Sequence, residues 1–170
     1  PMYYASEPAQ FTFTCIPTID PTVSTTTSVP YAPGLTIKDV PLPSTDGKTD
    51  GTWEWVSPNS LVGDVGTHTA DATFTPSDTN TYSTVTKTIT ITVTPATLSA
   101  SNFTFTPASD LTYNGSAKTA TVTANGVTGI GEITVKYYKD GSSEPISGLP
   151  TEAGNYKVKI DVAENDNYVG

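Results

Sequence analysis

Residues that could carry chemistry are scarce in this chain. It has one cysteine, Cys15, one histidine, His68, and no arginine. A zinc site of the Cys/His type needs several such ligands, and catalysis with a histidine base would have to use His68. The sequence contains no phosphate-binding glycine loop, no dinucleotide fingerprint and no H-E-x-x-H motif. We therefore expect no catalytic residue, no cofactor and no metal ligand, and we predict that the chain is not an enzyme.

The lone histidine and the lone cysteine each have a structural and a functional interpretation. His68 stands on an alternating apolar segment, which favours a packed, hydrogen-bonded ring over a general base or a metal ligand. Cys15 follows the alternation of Phe11 and Phe13, which favours a small inward-facing apolar side chain. A redox thiol or a thioester at Cys15 would need an activating neighbour, and residues 10–15 supply none.

Two acidic, asparagine-rich segments, residues 77–82 and 163–168, offer oxygen ligands of the kind that calcium prefers. Neither has the spacing of an EF-hand loop, and neither contains the glycine that such a loop uses for its sharp turn. Asp and Asn in tight corners mainly cap their own backbone. We expect these segments to be backbone corners, with a calcium site as the alternative.

The elements that must position these residues are strands. Residues 88–94 and 157–162 alternate apolar with polar side chains, and threonine is the usual polar partner. Turn dipeptides with a preference for positive φ, such as Asn114-Gly115 and Asp140-Gly141, separate the alternating segments. No long helical periodicity occurs. The pattern predicts an all-β protein, either a sandwich or a barrel.

An internal repeat sets the domain count. Residues 64–74 and 152–162 share an acid, a small residue, glycine, a polar residue and a ring, followed by alternation in the same register. The ring is His68 in the first copy and Tyr156 in the second. Each copy then runs into an acidic corner that ends in tyrosine, Tyr82 or Tyr168. We predict two tandem domains, residues 20–95 and 96–170, joined by a linker too short for wide swings, so that the array is elongated.

Residues 1–19 resemble the end of a third copy. Phe11, Phe13 and Cys15 stand seven to eleven positions after Tyr4, as Ile89, Ile91 and Val93 stand after Tyr82. We expect this segment to be the last strand of a preceding repeat plus a linker, while residues 96–170 lack their own last strand. The expected consequence is head-to-tail strand donation between copies of the chain, with Phe11, Phe13 and Cys15 as the donor side chains.

Charge excludes several classes of partner. The 170 residues carry a formal net charge of −9. Nucleic-acid binders need a basic surface to displace counterions, so none is expected as a partner. No run of apolar residues is long enough to cross a bilayer, so we expect no membrane insertion.

Aromatic residues are the last candidates for a binding site. Trp53 and Trp55 share one face of a strand, while Tyr137 and Tyr138 face opposite ways. Small domains need large side chains to fill their cores, which favours buried tryptophans. The alternative is an exposed aromatic platform for carbohydrate.

Several segments together resemble the repeated Ig-like modules, including MBG-type repeats, of large surface proteins of Gram-positive bacteria. They are residues 51–55, 62–70, 73–82, 88–93, 111–118, 152–156 and 163–168. The resemblance spans about residues 22–169. It implies small Ig-like β-sandwiches, with a β-grasp topology as the alternative for either domain. It also implies an extracellular, cell-wall or cell-surface location and a non-catalytic role as a stalk or spacer.

Partners in that role would be neighbouring repeats, copies of the same chain, or a host or environmental glycan or protein. The alternative function is a carbohydrate-binding module that uses exposed aromatics. The ring positions His68, Tyr82, Tyr156 and Tyr168 are expected to be structural corners. In the tyrosine corner of Ig-like domains, a ring hydroxyl ties down the turn, and His68 departs from that pattern.

Overall fold

The computed structural model describes residues 19–169, and β-strands account for nearly all of its regular structure. The strands are β1 (Thr26–Pro30), β2 (Gly51–Trp55), β3 (Gly66–Pro76), β4 (Val85–Thr94), β5 (Ala96–Thr97), β6 (Phe103–Thr106), β7 (Thr121–Ala124), β8 (Ile133–Lys139), β9 (Tyr156–Val162) and β10 (Tyr168–Val169). The helical segments in this range are two 3-10 turns, Ile37–Asp39 and Ala100–Asn102. The predicted all-β class is confirmed.

The largest sheet lies in the first half of the chain, residues 20–95, and has the strand order β1-β4-β3-β2. β3 pairs antiparallel with both β2 and β4. β1 pairs with β4 in parallel, from Thr26 opposite Thr90 to Pro30 opposite Thr94. β4 therefore lies between the first strand of this half and its central hairpin, and both of its edges are hydrogen-bonded.

The core of the first half sits on one face of this sheet. Ile89, Ile91 and Val93 of β4 are almost fully buried, while the threonines between them face outward. This is the consequence of a period of two along a strand. Trp53 packs edge-on against Phe74 at 5.1 Å between ring centroids. The remaining buried apolar residues of this core are Val29, Leu35, Ile37, Val40, Trp55, Val62 and Ala72.

The second half contains three strand pairs: β6 with β7 and β8 with β9, both antiparallel, and β10 with β5 in parallel. The β8–β9 hairpin has the register of β2–β3. Ile133 lies opposite Val162 as Trp53 lies opposite Phe74. The two halves thus share their central hairpin down to the pairing of individual residues.

The apolar faces of the second half are less well covered than those of the first. Along β9 the burial alternates as expected, with Lys157, Lys159 and Asp161 exposed and the intervening side chains half-buried. Tyr137 and Phe103 are buried in this region, but no residue of β9 is. The strand has an inward face that the described residues only partly cover.

Candidate functional site

The two ring positions of the repeat close the same kind of turn. The Tyr156 hydroxyl donates a hydrogen bond to the backbone carbonyl of Glu152, at 3.1 Å. His68 uses Nε2 for the equivalent bond to the carbonyl of Asp64, at 2.6 Å. Both bonds reach back four residues. Because a carbonyl can only accept, the His68 Nε2 carries the proton. In the first half the imidazole of His68 thus replaces the phenol of Tyr156 as the donor of the corner bond. The departure of His68 from the tyrosine pattern does not remove this bond.

Gly63 makes room for the His68 ring. Its φ of +116° is a conformation that residues with a side chain rarely adopt. A Cβ at this position would stand 2.8 Å from Cε1 of His68. The turn before β3 therefore depends on a glycine for both its backbone angle and its clearance.

The corner of the second half docks on the first half through Tyr168. This side chain is buried, and its ring meets the ring of Tyr31 edge-on, with 5.4 Å between centroids. Burial raises the pKa of the Tyr168 hydroxyl, and the nearby Tyr31 raises it further. The backbone of Thr128 lowers this pKa, but by less than burial raises it. Within residues 19–169 the hydroxyl has no partner of hydrogen-bond geometry. The contact is therefore chiefly apolar and aromatic.

Asn167 ties the same corner to the first half by polar contacts. Its side-chain oxygen accepts a bond from the backbone N–H of Val65, and its Nδ2 donates to Asp64, both at 3.0 Å. The Ala96 N–H donates to the Asn167 carbonyl at 2.9 Å, within the parallel pairing of β5 and β10. The junction thus combines a buried ring, an amide clamp and a short sheet.

Asn165 holds this corner in shape. Its side-chain oxygen accepts from the backbone N–H groups of Asn167 and Tyr168, at 3.0 and 2.9 Å, and its Nδ2 donates to the Gly129 carbonyl at 2.8 Å. This is the capping behaviour that Asx residues show in turns. The Asn165 side chain, for which the sequence left a calcium site as the alternative, bonds to three backbone groups in this structure.

Tyr82 occupies the matching corner at the opposite end of the first half. It is half-buried and pairs in parallel with Ile19, whose N–H donates to the Thr81 carbonyl at 3.2 Å. The same bond pattern joins Ala96 to the Tyr168 corner. Each corner thus receives the chain segment that enters its half.

A cleft opens in the second half between β6 and β9. Two cavities lie along it, of about 490 Å³ and 390 Å³. The larger is lined by Pro107 and Ala108, just after β6, by parts of the segments 111–120 and 150–155, and by Tyr156 and Val158 of β9. The smaller is lined by β6 itself and by the end of β9, including Ile160 and Val162. β6 and β9 therefore run in opposite directions on the two sides of what we call the β6–β9 cleft.

Each strand that borders the cleft has one edge without a strand partner in the described residues. Within residues 19–169, β6 pairs only with β7 and β9 only with β8. In the first half β4 lies between two strands that run in opposite directions, β1 and β3, and pairs with both. Phe105, Leu111 and Tyr113 lie along the cleft and are 42%, 68% and 62% exposed. The cleft combines exposed apolar side chains with polar ones such as Lys118 and Glu152.

The outward face of the β8–β9 hairpin carries ion pairs. Lys157 lies 2.9 Å from Asp140, and Lys136 pairs with Asp161. The bond to Asp161 raises the pKa of Lys136, and the bond from Lys157 lowers the pKa of Asp140. Charged pairs on this face and apolar side chains on the other give β9 an inner side, which is the side that meets the cleft.

Trp53 and Trp55 lie outside the junction and the cleft. Trp53 and Trp55 are each 8% exposed, and the Trp55 indole donates to the Val40 carbonyl at 3.2 Å, so they form core and not a platform. The predicted strand donors Phe11, Phe13 and Cys15 lie outside the described residues.

In the part of the chain that the structure describes, His, Cys, Asp and Glu side chains form no group of three that could hold a metal ion. The helical turns of this part are all too short to cross a bilayer.

Sequence reasoning missed the junction, because its bonds join residues far apart in the chain. The Asn167 side chain and Asp64 are separated by 103 positions. The only signal in the sequence was the repetition of an Asn-rich corner that ends in tyrosine. That signal located the corner but not the surface it contacts.

No match emerged when the chain was compared with models of protein families, with curated proteins and with solved structures. The junction between the halves and the β6–β9 cleft are therefore the features of the molecule that bear on its function.

Proposed function

We propose that this chain is a non-catalytic spacer built of tandem repeats, a structural and adhesive module of a bacterial cell-surface protein. In this proposal residues 20–95 and 96–170 are two copies of one Ig-like repeat. The matched register of β2–β3 and β8–β9 and the shared corner bond of His68 and Tyr156 support that division.

The observation that carries the proposal is the junction. A linker without local contacts would let two domains move freely, whereas here a buried ring, an amide clamp and a strand pair hold them. Fixing the angle between repeats is what a spacer needs in order to hold a distance. A site for catalysis would instead bring titratable groups together in a cavity, and the junction does not do this.

NMR relaxation of the full chain tests the stiffness. We expect the two halves to share one tumbling time, and the double variant Asn167→Ala, Tyr168→Ala to give each half a shorter time of its own. Val56→Ala is the control, because the Val56 side chain is exposed and takes no part in the junction contacts. Independent tumbling of the halves in the unmodified chain would refute the spacer function.

The surface location is tested separately. An antibody raised against the chain should label intact, unpermeabilised cells of its source. Labelling only after permeabilisation would contradict an extracellular role and would leave the stiffness result untouched.

A carbohydrate-binding module is the second candidate, and Tyr113 is the observation that favours it. Its ring is 62% exposed at the edge of the 490 Å³ cavity, beside Lys118 and Glu152, which offer polar groups to hydroxyls. A glycan array probed with the full chain and with Tyr113→Ala tests this function. Binding that is lost in the variant would support it, and no binding by either protein would exclude it for the glycans on the array.

A further inference from the structure

We propose that the β6–β9 cleft is a binding site for a β-strand and that its occupant is residues 11–16 of a second copy of this chain. The bound strand would run parallel to β6 and antiparallel to β9, so that the second half of one molecule receives a strand from another copy.

The geometry of the cleft is that of a strand position left open. Its two borders, β6 and β9, run in opposite directions on either side of the cavities, and each has one edge without a strand partner in the described residues. A strand between two antiparallel borders pairs in parallel with one and antiparallel with the other. β4 does this in the first half, parallel to β1 and antiparallel to β3. Unpaired edges of this kind are the usual templates for strand addition.

The apolar side chains of the cleft favour an occupant whose apolar residues alternate with polar ones. β4 inserts Ile89, Ile91 and Val93 into the core of the first half, and their exposed fractions are 0%, 0% and 1%. Phe11, Phe13 and Cys15 repeat that spacing with polar residues between them. Larger phenyl rings suit a cleft that now holds two cavities and whose β9 side chains are only half-buried.

The repeat also sets the register. In the first half Ile91 lies opposite His68 and Thr90 opposite Thr69. The corresponding pairs across the cleft are Phe13 with Tyr156 and Thr12 with Lys157. A shift by one residue would turn both phenylalanines outward, so this register is the one that buries them.

The strand must come from another molecule, because residues 11–16 of the same chain cannot extend as far as the cleft. Ile19 pairs with Tyr82, before the start of β4, whereas the second half contacts the first beyond the other end of that strand. β4 has 10 residues and so spans about 33 Å. The six-residue step from Phe13 to Ile19 extends at most about 21 Å. The donor segment of the same chain therefore does not reach even the junction.

Binding of this strand would build a second junction like the one within the chain. The corner that carries Tyr82 of the incoming copy would approach Tyr113, as the Tyr168 corner approaches Tyr31. The contact joins different surfaces of the two copies, so it is head-to-tail and propagates into filaments unless the geometry closes a ring.

Light scattering on the full chain over a range of concentrations is the first test. We expect masses that rise toward multiples of one chain. Phe13→Asp should weaken the association at least about tenfold, because it would bury a charge in the cleft. Thr12→Asp is the matched control, since the same charge would face solvent, and it should associate as the unmodified chain does.

Disulfide trapping tests the register. In a Cys15→Ser background, Thr12→Cys with Lys157→Cys should give a ladder of disulfide-linked multimers on a non-reducing gel. Thr12→Cys with Lys159→Cys, one pair further along the same exposed face, should give little. Lys157 and Lys159 are exposed, and Thr12 would face outward in this register, so the three cysteine positions spare the fold.

Monomers at every concentration would overturn the proposal. So would equal effects of Phe13→Asp and Thr12→Asp, equal crosslinking in both cysteine pairs, or a crosslink confined to single chains. None of these results would bear on the stiffness of the junction, so strand donation and the spacer function fail independently.

Discussion

Two different rings close the same turn in the two halves, one with a hydroxyl and one with an imidazole nitrogen. Either ring reaches the carbonyl four residues earlier, and in each half the bond closes the turn before the strand that follows. The position therefore selects for a planar side chain with a donor at its far end. In the first half it also requires Gly63, since any Cβ there would crowd the imidazole.

Removing the Tyr156 hydroxyl should destabilise the second half by about 1 kcal/mol, the net worth of one hydrogen bond. Chemical denaturation of Tyr156→Phe, followed by signals of the second half, measures the loss. Tyr138→Phe serves as the control, because Tyr138 engages Lys159 through its ring face, which phenylalanine retains. An unchanged midpoint in Tyr156→Phe would show that the bond contributes nothing to folding.

The sequence alone predicted that His68 and Tyr156 occupy equivalent positions, because local alternation and the preceding glycine align the two segments. It did not predict the contacts that Asn167 makes with the first half. An exposed asparagine in a corner looks the same whether its amide caps the local backbone, as that of Asn165 does, or bonds to another half of the molecule. The distinction depends on how the halves are placed, which no local pattern encodes.

At the scale of elements, the two halves differ in how completely their sheets are filled. β4 is bonded on both edges and its apolar side chains are buried, whereas β9 has one bonded edge and half-buried apolar side chains in the described chain. Period-two alternation predicted the inward parity in both cases. It did not predict the degree of burial, because burial depends on whether a neighbouring strand is present.

Trp53→Ala should cost about 3–5 kcal/mol, since it leaves a cavity beside Phe74 in the buried core of the first half. Thermal unfolding should show the loss in the transition of the first half. The control is Val56→Ala, one residue beyond β2, where the side chain is 55% exposed and truncation should change stability by no more than about 0.5 kcal/mol. Quenching of the Trp53 indole by iodide in the unmodified protein as readily as a free indole would contradict its burial.

At the scale of the whole molecule, the junction should respond to pH through Tyr168. Its pKa is raised in the closed junction, whereas in an opened one it ionises near pH 10. Below pH 10 both forms are neutral and nothing changes. Above it the opened form gains an ionisation that the closed form resists, so the junction loses stability as pH rises toward the raised pKa.

Small-angle X-ray scattering at pH 9 and pH 11 measures this opening. We expect a wider range of molecular shapes at pH 11 than at pH 9. Tyr168→Phe keeps the ring and cannot ionise, so its profile should be the same at both values. If the variant opens as much as the unmodified chain, other tyrosines are responsible and the assignment to Tyr168 is wrong.

The parallel pairing of β1 with β4 has a mechanical consequence. The chain enters the first half ahead of β1 and leaves it after β4, so tension applied along the chain pulls these neighbouring strands past each other. The force then acts as shear on five residue pairs at once, from Thr26–Thr90 to Pro30–Thr94, and they must break together. An antiparallel pair of terminal strands would unzip one bond at a time. The first half is thus arranged to resist stretching far better than its free energy of unfolding alone would indicate, because forced rupture depends on the barrier to unfolding and not on the equilibrium.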